Sequence, residues 1–125
     1  MVKKINKKIL IVEDDEDFLS ILRIKFEGEG FNVVTAQDGE NGIDIAEREK
    51  PDLILSDVLL PKTSGIEMAK KIKESDKNAL IVFLTNLTDA NSSGEIKKLG
   101  FDYLVKSNLG IGDIVDKVKE KLNIT

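Results

Sequence analysis

Four apolar runs of strand length in this chain each stop at a polar residue, and no other feature constrains the fold as much. Ile9-Leu10-Ile11-Val12 runs into Glu13 and Asp14, Asp52-Leu53-Ile54-Leu55-Ser56 into Asp57, Ala79 to Leu84 into Thr85, and Phe101 to Val105 into Lys106. The runs are continuously apolar, not alternating, which suits strands buried on both faces. A fifth strand is predicted over Phe31 to Ala36, with Val33, Val34 and Thr35 as its β-formers. Between the strands, apolar residues recur at helical spacing. Strand and helix alternating five times predict an α/β fold: a parallel sheet covered by helices on both faces. Such sheets bind ligands beyond the carboxyl ends of their strands, so Glu13, Asp14, Asp57, Thr85 and Lys106 are expected at one edge.

The helices follow in order. Phe18, Leu19, Leu22 and Phe26 mark the first, closed by Gly28 and Gly30. Gly39 to Lys50 is a weaker helix with Ile43 and Ala46 inward, stopped by Pro51. Ile66, Ala69 and Ile72 mark the third, with Ser64 as its cap. The fourth, Asn91 to Leu99, opens on Asn91-Ser92-Ser93-Gly94, which costs roughly 2 to 3 kcal/mol in propensity relative to alanine, and is expected to be short or mobile. Ile111, Ile114, Val115, Val118 and Leu122 give the clearest stripe. With 125 residues, no internal repeat and no linker, a single domain is expected over 1–125, its core over about 8–122. No DNA-binding or enzymatic segment is visible after the last helix.

Composition narrows the chemistry. A net charge of -4 is too mild to argue for nucleic acid or membrane, and no apolar stretch approaches the roughly 20 residues of a span. A cytoplasmic location is the default expectation. Cysteine is absent, which excludes thiolate nucleophiles and zinc-thiolate sites; histidine is absent too, which removes the commonest general base and any role as a phosphohistidine donor. The lysines at 3, 4, 7 and 8 read as a solvated arm, and Lys117, Lys119 and Lys121 suit the negative end of the last helix. Asp15, Glu16 and Asp17 read as cap and solvated face.

The polar set has its own logic. An ionised Asp57 beside so much Leu and Ile needs a cation or hydrogen-bond donors. Carboxylates gathered with Glu13 and Asp14, without His or Cys, select a hard cation such as Mg²⁺. Lys106 and the Thr85 hydroxyl supply the charge and donor that a phosphoryl group requires. Asp57 can then be a nucleophile toward phosphorus.

These residues resemble those of the response-regulator receiver domains of two-component signalling. The likeness runs from about Lys8 to Leu122 and rests on Ile11-Val12-Glu13-Asp14, on Asp57 followed by Pro61 and Gly65, on Leu84-Thr85, and on Asp102-Tyr103-Leu104-Val105-Lys106. It implies strand order 2-1-3-4-5. It also implies that Asp57 accepts phosphate from a histidine kinase or phosphotransfer protein, with Mg²⁺ held by Glu13, Asp14, Asp57 and the Leu59 carbonyl. Lys106 would pair with the phosphoryl group, and Thr85 and Tyr103 would shift, so that the surface of the fourth helix, fifth strand and fifth helix controls a protein partner or a homodimer.

Two positions depart from the family pattern, and a further pair bears on the life of the phosphate. Asn86 stands where Ala or Gly is usual. Ser107 replaces a proline that follows a cis bond, so a trans Lys106–Ser107 bond or a rearranged loop is expected. Leu59 and Leu87 put apolar side chains where water must reach an acyl phosphate, which predicts slow self-dephosphorylation. Two other functions use related parts. An aspartyl-nucleophile phosphohydrolase carries a second Asp two residues after the nucleophile, where this chain has Leu59. A receiver-shaped module that binds partners without phosphate is the other; retention of all five polar residues argues against it. The expected output is binding, not turnover.

Overall fold

The computed structural model describes residues 4–86 and 90–124, the side chains of 90–93 excepted. Five strands and five helices alternate: β1 Lys8–Val12, α1 Glu16–Gly28, β2 Asn32–Ala36, α2 Gly39–Glu49, β3 Leu53–Asp57, α3 Gly65–Ser75, β4 Ile81–Thr85, α4 Ala90–Lys98, β5 Asp102–Val105 and α5 Ile111–Lys121. All paired strands are parallel, and their order is β2-β1-β3-β4-β5. The order turns back at β1, so β1 and β3 lie side by side with Val12 opposite Ser56. Their carboxyl ends form the switch point of the sheet.

The continuous apolar runs are explained by helices on both sides. On one face Leu10, Val12, Ile54 and Phe83 pack with Met68, Ala69 and Ile72 of α3 and Ile96 of α4. On the other, Ile9, Ile11, Leu53, Leu55, Val82 and Leu84 meet Leu19, Leu22 and Phe26 of α1 and Ile114, Val115 and Val118 of α5. Successive residues of a strand point to opposite faces, so a strand covered twice has no polar position to spare.

Helix starts are set by short side chains. Asp15 accepts from the Asp17 and Phe18 amides and opens α1, Asp38 accepts from Asn41 and opens α2, and Ser64 accepts from Glu67 and opens α3 as expected. In α5 the Asp113 carboxylate accepts from the Gly110 amide. The second helix ends one residue earlier than expected, because Lys50 turns into the left-handed region at φ 46° ahead of Pro51. Two glycines hold the α2–α3 pair close. A Cβ on Gly39 would lie 2.1 Å from the Thr63 carbonyl oxygen, and one on Gly42 would lie 2.5 Å from the Met68 sulfur.

One expectation fails at the amino terminus. Lys8 leads the apolar run into β1 as its place there predicts, but its side chain is not part of a solvated arm: its ammonium is 2.9 Å from Glu49 and its amide donates to Asp52 at 2.7 Å. A strand at the edge of the described chain still needs its amides paired. At the other end, Lys119 pairs with Glu29 and Lys121 with Asp102, so two lysines read as helix-end charges also tie α5 to its neighbours. Among the described residues no peptide bond is cis, so Lys106–Ser107 is trans and opens a short 3-10 turn over Lys106–Asn108. Among the described residues no helix is long and apolar enough to cross a membrane.

Candidate functional site

Glu13 and Asp14 follow β1, Asp57 ends β3, Thr85 ends β4 and Lys106 follows β5, so four strand ends deliver the whole polar set to one edge. Glu13, Asp14 and Asp57 offer carboxylate oxygens that lie within 4.8 Å of one another. Lys106 reaches into this group: its Nζ is 3.1 Å from Glu13 Oε1 and 3.3 Å from Asp57 Oδ2. The backbone aids Asp57, whose Oδ1 accepts from the Leu59 amide at 3.3 Å.

The environments of these groups differ. Glu13 is buried at 3% exposure, Asp57 is half-buried and Asp14 is exposed. Burial, and after it the neighbouring Asp57 charge, push the Glu13 carboxyl up to about 7, although Lys106 pulls it down. For Lys106 burial is the largest influence and lowers its affinity for the proton. The Asp57 and Glu13 carboxylates together outweigh it, and the ammonium is held above the ordinary lysine range. Three carboxylates are thus matched by one cation. The donor set fits a divalent hard ion, because only oxygen ligands converge and one ammonium leaves negative charge over.

Two further positions lie on the adjoining strands β4 and β5. Thr85 is buried at the last position of β4, opposite Val105, and Tyr103 is half-buried on the edge strand β5, opposite Phe83. The Lys97 ammonium lies 5.9 Å from the centre of the Tyr103 ring. Asn86 is exposed directly after Thr85. Leu59 is 79% exposed, while Leu87 lies outside the described residues.

Loop geometry after Asp57 depends on Gly65. Its amide donates to the Val58 carbonyl at 2.9 Å, and a Cβ there would come within 2.3 Å of the Asp57 carbonyl oxygen. Only a residue without a side chain lets α3 begin this close to the acidic strand end. One contact has no signal in the sequence. The Lys106 ammonium lies over the ring of Phe18, 4.7 Å from its centre, although helical spacing assigns Phe18 simply to the apolar stripe of α1.

Comparison with known proteins agrees with this fold. The family described as response regulator receiver domain matches residues 9–119. The Bacillus subtilis alkaline phosphatase synthesis transcriptional regulatory protein PhoP is 39% identical over 112 residues, covering 90% of this chain and 42% of PhoP. Sporulation initiation phosphotransferase F of the same organism is 34% identical over 117 residues, covering 94% of each chain. A crystal structure of a CheY-like response regulator receiver domain protein from Methanospirillum hungatei superposes with a TM-score of 0.88 at 30% identity, covering 95% of both chains. The chain belongs to the response regulator receiver domain family. Receiver domains are the modules of two-component response regulators that receive the signal, and the regulators matched here are signalling proteins.

Proposed function

We propose that Asp57 is the phosphoacceptor of this receiver domain and that residues 1–125 act as a single such domain. The observation that carries the reading is the gathering of Glu13, Asp14, Asp57 and Lys106 at the end of the central strand. A carboxylate oxygen of Asp57 attacks the phosphorus of a phosphohistidine on a partner kinase or phosphotransfer protein. The new O–P bond forms as the P–N bond breaks, and its electron pair returns to the imidazole nitrogen, leaving an acyl phosphate on Asp57. Lys106, already 3.3 Å from Asp57, offers its ammonium to the transferred oxygens, and the Thr85 hydroxyl stands at the neighbouring strand end as a donor.

Glu13, Asp14, Asp57 and the Leu59 carbonyl are the groups that would hold Mg²⁺. When bound, the ion neutralises negative charge between the carboxylates and an incoming phosphoryl group. Phosphorylation then biases Thr85 and Tyr103, and with them the surface of α4, β5 and α5, toward a protein partner or a second copy of the chain. The output is a change in binding, and the stored phosphate is lost slowly.

Intact-mass spectrometry tests this directly. Incubation with Mg²⁺ and acetyl phosphate is expected to add one phosphoryl group, which Asp57→Asn and omission of the metal both abolish. No adduct on the wild-type protein, from acetyl phosphate or from a phosphorylated kinase, would leave a module that binds partners without phosphate. Asn86 beside Thr85 and the trans bond at Ser107 would then be the first residues to examine.

A further inference from the structure

Lys106 is a long, flexible side chain at the start of a turn, and four carbon atoms separate its ammonium from the backbone. Three groups meet that ammonium. Glu13 from the end of β1 and Asp57 from the end of β3 are anionic, at 3.1 and 3.3 Å. The third is the neutral ring of Phe18 in the first turn of α1, 4.7 Å away at its centre. We propose that Phe18 is a positioning residue: its ring holds the Lys106 ammonium beside Asp57 while phosphate is transferred. The proposal rests on the reading of Asp57 as the phosphoacceptor.

The three anchors differ in what happens to them. Asp57 becomes part of an acyl phosphate, and Glu13 belongs to the carboxylate set that would hold the metal. Both have other work at the moment when Lys106 must stay in place. The Phe18 ring has no lone pair to give to a metal or to a proton. Its attraction for a cation comes from the negative potential of the ring face, which persists whatever the carboxylates do. Solvent does little to weaken it, because the Lys106 side chain is only 18% exposed. Phe18 itself is fixed at its base: its amide donates to the N-cap carboxylate of Asp15 at 3.2 Å, and its side chain leans on the core shared by α1 and α5. The acidic run after β1 therefore has two uses. Glu13 and Asp14 face the site, and Asp15 starts the helix that brings the ring over the lysine.

The test drains the ring of negative charge without changing its shape. Mono-, di- and trifluorophenylalanine are placed at position 18 by site-specific incorporation, beside Phe18→Leu and Phe18→Tyr. Loading of Asp57 from acetyl phosphate is followed by intact mass, and the ε-methylene of Lys106 by NMR of protein labelled at lysine, its signal assigned by its loss in Lys106→Arg. In the wild type that signal is expected upfield of the other lysines, shifted by the ring current, and in Phe18→Leu it returns among them. Loading should slow stepwise with fluorination, by about three- to tenfold for the trifluoro ring and for leucine, and tyrosine should restore it to within about twofold. A Lys106 signal unshifted in the wild type, or loading that ignores fluorination, would overturn the role given to Phe18 alone. A wild type that takes no phosphate would overturn the phosphoacceptor reading and this role with it, even where the ring-current shift is present.

Discussion

At the scale of single residues, the site is a problem of uneven burial. Glu13 sits at 3% exposure with its carboxyl raised to about 7, so the folded chain binds a proton there more tightly than the unfolded chain does. A raised acid loses stability as pH climbs from its unfolded value toward its folded one. For the metal-free protein, stability is therefore expected to fall between about pH 4.5 and 7. Glu13→Gln should flatten that slope and raise stability at pH 8, as urea melts across the range would read; a slope unchanged in the variant would assign it elsewhere. Leu59 poses the opposite case. It is 79% exposed, so a polar replacement should alter stability by no more than about 0.5 kcal/mol. Leu59→Asn is expected to shorten the life of the acyl phosphate by letting a hydrogen-bonding side chain guide water to it. Decay of the phosphorylated mass after acetyl phosphate is removed measures this, and an unchanged lifetime would end the argument from apolar screening. Phe18 shows what a residue pattern hides. Its spacing in the helix is the same whether its ring only packs or also carries a cation.

At the scale of elements, the fourth helix stands apart. Its sequence is rich in Asn, Ser and Gly. Gly94 lies in its interior, exposed, where an added Cβ would meet nothing within 4 Å. Gly94→Ala should therefore stabilise the protein by about 0.5 to 1 kcal/mol, through helix propensity and a less flexible unfolded chain. If Thr85 and Tyr103 move together with a loosely built α4, the same change should slow hydrogen exchange across 88–98 and weaken the response of that surface to phosphate. Slow exchange there in the unmodified wild type would remove the premise. Gly65 is a glycine of another kind, since the Asp57 carbonyl stands where its Cβ would be. The sequence places Gly94 in the fourth helix and Gly65 in the loop before the third; the backbone that passes beside Gly65 is what bars a side chain there.

At the scale of the whole molecule, a single sheet serves two cores, one under α2, α3 and α4 and one under α1 and α5. Met68 and Leu22 are both fully buried, one in each. Met68→Ala and Leu22→Ala are each expected to cost about 2 to 5 kcal/mol, and each variant should still unfold in one transition because the strands belong to both cores. Two separated transitions by circular dichroism and intrinsic tyrosine fluorescence would contradict that coupling. The amino-acid sequence by itself determined the alternation of strands and helices, the caps at Asp15 and Ser64 and the five polar positions at strand ends. Each follows from local chemistry: the reach of an apolar run, a side chain that accepts an amide, a polar residue that ends an apolar run. The strand order was legible through resemblance to a family, since local pattern does not say which strands are neighbours. Tertiary structure alone decided that Lys106 faces Glu13 and Asp57 at once, that Glu13 is buried while Asp14 is not, that Lys8 is braced by Glu49, and that the Phe18 ring lies under the ammonium. Lys106 is 93 residues from Glu13 and 49 from Asp57 along the chain, and contacts at such separations arise only when the sheet brings its strand ends together.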